Sequence, residues 1–300
     1  MYKYRFHNYP VFSDIQLLEQ NDDPMILRAT EHPVKLIAGS LVEQESQAVP
    51  IIVPQIISHG RKVVLSIDRS LSEGFQGSDW RFEVEGVVRF GGSGGDGLVV
   101  YDPLELATDE LIGFWFIHQL LPIYLTFMKG YHFFHAGSVE VKGGAVVFLA
   151  PSKGGKSTIT EYFLSKAHGL ISDDKLAIAE VDGRYITFTA HSRYRPYRRN
   201  EDLGSRAARI GSSPLPVRAI FTLNPVGPVQ PVRMQRIVGS EKFNTLLASR
   251  LYLVKGTGAS DLKFLGGMAE LAPIHRLDVP RSKTRLEEVY QAIMGLLETH

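Results

Sequence analysis

The stretch Ala150-Pro-Ser-Lys-Gly-Gly-Lys-Ser-Thr158 follows a short apolar run, Gly143-Gly-Ala-Val-Val-Phe-Leu149, and precedes a segment with Ile159, Tyr162 and Phe163 at helical spacing. Strand, glycine loop, helix is the order in which backbone N–H groups wrap phosphates, a lysine neutralises the outer ones and a hydroxyl holds Mg²⁺. Against the pattern G-x-x-x-x-G-K-[ST], Gly155, Lys156 and Ser157 match, while Ala150 stands in place of the first glycine. Alanine makes the sharp exit from the strand only if its φ stays negative. A helix beginning at Ser157 aims its positive end at an anion held by the loop. The candidate phosphate contacts are therefore Ser152, Lys153, Gly154, Gly155, Lys156, Ser157 and Thr158.

A chain of 300 residues leaves room for about two domains around such a loop. Lys+Arg 33 against Asp+Glu 32 gives a net charge of +1, so no global charge points to nucleic acid or an anionic membrane. Cysteine is absent, which removes disulfides and thiolate chemistry and suits a reducing compartment. The opening Met-Tyr-Lys-Tyr-Arg-Phe-His lacks the apolar core of a signal peptide, and the expectation is a cytoplasmic protein. Leu111 to Met128 carries no formal charge, but His118, Gln119 and Pro122 interrupt it. It reads as a helix buried beneath the nucleotide domain rather than a membrane span.

Residues 1–105 alternate β-like runs with turn residues: Tyr4 to Phe12, Val34 to Ala38, Ile51 to Ile57, Lys62 to Ile67, Arg81 to Phe90 and Leu98 to Tyr101. They are assigned to a β-rich N-terminal domain, with residues 106–300 forming the nucleotide-binding domain. Gly92-Ser-Gly-Gly-Asp-Gly97 satisfies G-x-G-x-x-G, yet Leu98-Val-Val-Tyr101 after it is strand-like. The dinucleotide fingerprint needs a helix there, so this is a hairpin loop.

In the second half, His135 to Val141 and Ala145 to Leu149 are joined by a glycine turn, so an antiparallel partner feeds the loop strand directly. Gly169-Leu-Ile-Ser-Asp-Asp174 is a short strand ending in two carboxylates, where a metal-holding aspartate is expected after a phosphate loop. Leu176 to Val181 and Arg184 to Ala190 form a hairpin about Asp182-Gly183. The region is a mixed sheet rather than a uniform βα repeat. His191-Ser-Arg-Tyr-Arg-Pro-Tyr-Arg-Arg-Asn200 carries four arginines, whose forks suit phosphate recognition, or else forms a solvated loop. Pro216 to Leu223 is read as a strand, Asn224 to Pro228 as a turn, Glu241 to Leu253 as a helix, Lys255 to Ser260 as a loop, Ile274 to Val279 as a strand and Thr284 to Leu297 as a helix.

The combination of His135-Ala-Gly-Ser-Val, the glycine hairpin, the strand into Pro-Ser-Lys-Gly-Gly-Lys-Ser-Thr158 and Leu-Ile-Ser-Asp-Asp174 resembles the catalytic domain of HPr kinase/phosphorylase. In style it is most similar to the HPr-kinase-related kinases of lasso peptide biosynthesis, which modify a serine of a precursor peptide. The resemblance implies an α+β, phosphoenolpyruvate-carboxykinase-like mixed-sheet domain behind the small β-rich domain. It implies ATP and Mg²⁺ as cofactors, with Gly155 and Lys156 on the triphosphate and Ser157 and Asp174 on the metal. Asp173 would take the proton from a serine hydroxyl, and His135 matches the histidine beside the acid pair. Either aspartate could fill either role. Arg193 and Arg195 are the candidates for further charge neutralisation. Two departures stand out: Thr158 replaces a usual glutamate, and the family's arginine-glycine signature is not recognisable.

The implied function is an ATP-dependent kinase acting on a serine of a peptide or small protein. The alternatives are a nucleotide-regulated binding module and an NTPase that hydrolyses with water. Neither nucleic acid nor membrane is an expected partner, and relatives that assemble leave a homo-oligomer open.

Overall fold

The computed structural model describes residues 1–18, 32–41, 56–67, 79–93, 97–194, 200–252 and 258–299. The chain divides into two compact units. The first is Met1–Tyr131 with Arg198–Leu203 and Val254–Gly258; the second is His132–Tyr197, Gly204–Leu253 and Ala259–His300.

The first unit is built on strands β1 (Tyr2–Phe6), β2 (Tyr9–Ser13), β3 (Val34–Ala38), β4 (Ile56–Ser58), β5 (Arg61–Ile67), β6 (Asp79–Val84), β7 (Val88–Ser93) and β8 (Leu98–Pro103). They form one sheet in the order β1-β2-β3-β8-β7-β6-β5-β4. Two runs that read as single strands are hairpins. His7 and Asn8, with φ of 51° and 59°, make a two-residue turn inside Tyr4 to Phe12, and Gly86, with φ of 72°, splits Arg81 to Phe90. The strand read from Ile51 is described only from Ile56, and the Gly92 to Gly97 loop lies partly outside the described residues.

The apolar segment forms α1 (Asp109–Trp115), a π-helical turn over Phe116–Leu120, and α2 (Leu121–Lys129). Thr108 caps it by accepting the Leu111 N–H at 3.2 Å, and Gly130, with φ of 66°, ends it. Pro122 has no N–H to offer His118's carbonyl, and the wider π turn lies directly before it. Though long and apolar enough to cross a membrane, this helix is mostly buried. Trp80 meets Tyr124 and Phe90 meets Phe116, each with ring centroids 6.2 Å apart, so it is the core helix of the first unit. That packing moves the boundary between units to Tyr131, later than residue 105. Glu201 also folds with this unit, gripped by Arg61 through both carboxylate oxygens at 2.5 and 2.9 Å and by Trp115 Nε1 at 2.7 Å.

The second unit comprises β9 (His132–Val141), β10 (Gly144–Leu149), α3 (Lys156–Ser165), β11 (Gly169–Ser172), β12 (Lys175–Val181), β13 (Arg184–Phe188), β14 (Arg193–Tyr194), β15 (Ser205–Arg206), β16 (Leu215–Val226), β17 (Arg233–Arg236), α4 (Ser240–Ser249), α5 (Gly258–Leu271), β18 (Ile274–Pro280) and α6 (Leu286–Glu298). β9 is antiparallel to β10, β11 and β12, while β10 is parallel to β16 and β16 to β18. The sheet is mixed, as the hairpins required. β10 is buried along its whole length because both faces are covered. Ala145, Val147 and Leu149 pack with residues of α4 and α5, whereas Val146 and Phe148 pack with those of α3 and α6. The Asn224 to Pro228 stretch is not a turn throughout. β16 continues to Val226 because its parallel register with β18 extends through Val226↔Pro280, and Asn224 Nδ2 donates to Asp278 Oδ1 at 2.7 Å. The helix read from Glu241 stops at Ser249, and α5 begins within the stretch read as a loop.

Candidate functional site

β10 delivers Ala150 to the end of the sheet, and the chain turns at once. The Gly154 N–H donates to the Pro151 carbonyl at 3.0 Å, Lys153 has φ of 63° and Gly155 φ of 96°. Gly155 then caps α3, whose first turn contains Lys156 and Ser157. Ala150 is absent from the positive-φ residues, so alanine meets no backbone strain there. Its methyl takes space that Gly154 leaves open: a Cβ on Gly154 would stand 2.6 Å from the Cβ of Ala150. Alanine at the first position and glycine at the fifth are thus one packing solution. Gly137 on β9 has a matching role, since a Cβ there would come within 2.4 Å of Thr160 Oγ1 and push α3 off the sheet.

Lys156 is buried, with its ammonium folded back over the loop. It donates to the carbonyls of Ala150 at 2.7 Å and Pro151 at 3.2 Å, and lies 2.8 Å from His135 Nε2. An ammonium has three donors and no acceptor, so the third contact makes Nε2 the accepting nitrogen. His135 then carries its proton on Nδ1, which faces Asp174 Oδ1 at 3.1 Å; this tautomer is assigned from the network. Asp173 and Asp174 form the link between β11 and β12, and the Ala136 N–H donates to the Asp174 carbonyl at 3.1 Å. The loop lysine, the histidine and one member of the acid pair are therefore joined in a single line.

Of the other predicted contacts, Ser157 is half-buried in the first turn of α3, Gly154 and Gly155 are half-buried, and Ser152, Lys153 and Thr158 are exposed. Arg193 lies on β14, where its Nη1 donates to the Gly204 carbonyl at 3.3 Å and its N–H to His191 Nδ1 at 3.1 Å, contacts local to its own hairpin. Arg195 and the arginines that follow it to residue 199 lie outside the described residues.

Three residues near the acid pair escaped sequence reasoning. Lys175 Nζ donates to the Tyr252 hydroxyl at 2.5 Å. Burial, then the charge of Asp174, push the Tyr252 hydroxyl well above its usual pKa and keep it neutral. Tyr194 is raised in the same way by burial and then by Glu161 and Asp173. Lys175 adjoins the aspartates in sequence, which was a usable signal; Tyr252 comes from a distant segment and had none.

Among the described residues no three His, Asp or Glu side chains gather as a metal cage. Mg²⁺ at a nucleotide needs only one or two carboxylates, with phosphate oxygens and water completing its shell. Asp173 and Asp174, adjacent on the link between β11 and β12, supply that number of carboxylates.

No family model matches the sequence, and no curated protein matches it. Among solved structures the chain is similar to the HPr(Ser) kinase/phosphatase from Coxiella burnetii, at 13% identity and a TM-score of 0.30, covering 56% of this chain and 97% of that one.

Proposed function

We propose that the chain is an ATP-dependent kinase that transfers a phosphoryl group to a hydroxyl, most simply a serine of a peptide or small protein. The observation that supports this reading is that Lys156 of the loop lies 2.8 Å from His135 Nε2, while His135 Nδ1 lies 3.1 Å from Asp174 Oδ1. A loop alone would support binding; a carboxylate pair beside it supports transfer.

In this reading the loop from Ser152 to Thr158 and the Lys156 ammonium hold the triphosphate, with Lys156 exchanging its carbonyl partners for phosphate oxygens. Ser157 and Asp174 hold Mg²⁺, which when bound neutralises charge on the phosphates. Asp173 accepts the proton of the attacking hydroxyl. The substrate oxygen forms the new bond to the γ-phosphorus, the bond from that phosphorus to the β–γ bridging oxygen breaks, and ADP leaves with the electron pair. His135 keeps Asp174 oriented through Nδ1–H. Arg193 and Arg195 are assigned to charge neutralisation, and the first unit, with Met1–Tyr131, to substrate recognition.

Incubation with γ-labelled ATP, Mg²⁺ and peptides encoded beside the gene tests the reading. Label on a peptide supports it. Label released only as free phosphate supports a hydrolase instead, and tight nucleotide binding without turnover supports a binding module.

A further inference from the structure

β9 and β12 are paired so that His135 and Lys175 are Cα partners, which sets their side chains next to each other on one face. His135 is also the residue that Lys156 touches. Two lysines therefore flank one histidine, and each belongs to a different part of the site: Lys156 to the loop, Lys175 to the acid pair. Lys175 is half-buried and directed, its ammonium held by the Tyr252 hydroxyl at 2.5 Å.

Tyr252 is itself fixed with care. Its backbone has φ of 53°, an uncommon conformation for a residue other than glycine, of the kind that persists where surrounding contacts over-determine it. Those contacts are visible. The Leu251 N–H donates to the Phe133 carbonyl at 2.7 Å, Arg250 Nη1 donates to the same carbonyl at 3.1 Å, and the Tyr252 ring meets Phe133 edge-on with centroids 6.2 Å apart. Phe133 is two residues before His135 on β9 and so shares its face. The elevated pKa of the Tyr252 hydroxyl, due to burial and then to Asp174, indicates the same neighbourhood. A lysine needed only to offset two aspartates would serve from solvent; this one is held by a strained tyrosine on the face that carries His135.

We propose that Lys175 is a second cation of the nucleotide site, contacting the terminal phosphate of a bound triphosphate from the acid-pair side, and that Tyr252 is the positioning residue that holds it there. The inference rests on the nucleotide reading above. Lys156 approaches the phosphates from the loop and Lys175 from the far side, so the phosphoryl group to be transferred lies between two preorganised charges.

Calorimetric titration of the full chain with Mg²⁺ and either the non-hydrolysable β,γ-imido analogue of ATP or ADP tests this. Loss of a charge-assisted contact predicts that Lys175→Met weakens the triphosphate analogue by about tenfold or more while ADP affinity stays within about twofold. Tyr252→Phe, which keeps the ring, lowers triphosphate affinity in the same direction by a smaller factor, and Lys175→Arg recovers part of the loss. Equal weakening of both nucleotides overturns the inference, because it marks a lysine that only neutralises Asp174. Unchanged affinities overturn it as well. Should Lys175→Met fail to fold, Tyr252→Phe decides by the same split. If the wild-type chain binds neither nucleotide, the nucleotide reading itself fails; if it binds both and the variants discriminate as wild type does, this inference alone fails.

Discussion

β9 carries two histidine–aspartate pairs, His132 with Asp261 and His135 with Asp174, each with Nδ1 3.1 Å from Oδ1. Three positions apart on a strand, the two histidines point to opposite faces. His132 is sealed: Phe264 stacks on its ring at 3.6 Å, and Asp261 is shared with the buried Arg250 at 3.2 Å. Burial, then the Arg250 charge, push the His132 pKa down to about 4, so the ring is neutral. Its Nδ1 is close to the carboxylate but poorly aligned for a hydrogen bond. His135 is more open, with 25% of its side chain exposed against 15% for His132, and it meets the loop lysine instead of an aromatic ring. The same pair of residue types is packed against an aromatic core on one face and meets the loop lysine on the other. What surrounds a pair decides its role.

Arg250→Met leaves Asp261 as a buried charge without its cation, and we expect urea unfolding to show a loss of about 3–5 kcal/mol. A change below about 1 kcal/mol would mean that the sealed network is not structural. Next comes pH. His132 has an unfolded pKa near 6.5 and a folded value of about 4, so between these values the unfolded chain binds the extra proton. Stability from this residue is present above pH 6.5 and is lost as pH falls towards 4, by up to about 3 kcal/mol. His132→Phe should flatten that slope, and an unaltered slope would remove the residue from the account.

The open side responds in activity. Lys156→Ala should lower turnover by at least about 10²-fold, as for loss of one preorganised donor. Near-wild-type turnover would remove the phosphate-loop assignment. His135→Ala should cost about 10- to 100-fold in turnover, the range for a residue that orients a metal ligand. If it instead destabilised the fold as Arg250→Met does, the two faces of β9 would not differ in kind.

The parts of the candidate site were readable in the sequence because each is contiguous: Gly155-Lys156-Ser157, Asp173-Asp174, and the hairpin turns at Lys142-Gly143 and Asp182-Gly183 are local signals. Their convergence on His135 depends on β9 pairing with β10, β11 and β12 together, which no local pattern encodes. The sealed pair was invisible, since Asp261 and Arg250 reach His132 only through tertiary packing. α5 was hidden by Gly258, Gly266 and Gly267, which depress helix propensity; Gly267 is there because a Cβ would lie 2.4 Å from the Tyr185 hydroxyl. The boundary after α2 was missed because the helix has its partner in a sheet formed earlier in the chain. Ala150, a departure by motif, is accommodated because Gly154 has no Cβ to meet its methyl.

Asp173→Asn separates binding from transfer when nucleotide affinity and label transfer are measured on the same preparation. Asparagine keeps the shape and loses the proton acceptor. The account predicts nucleotide affinity close to wild type together with a fall in label transfer of at least about 10²-fold, the lower range for losing a positioned base. A variant that binds and transfers as wild type does would contradict it.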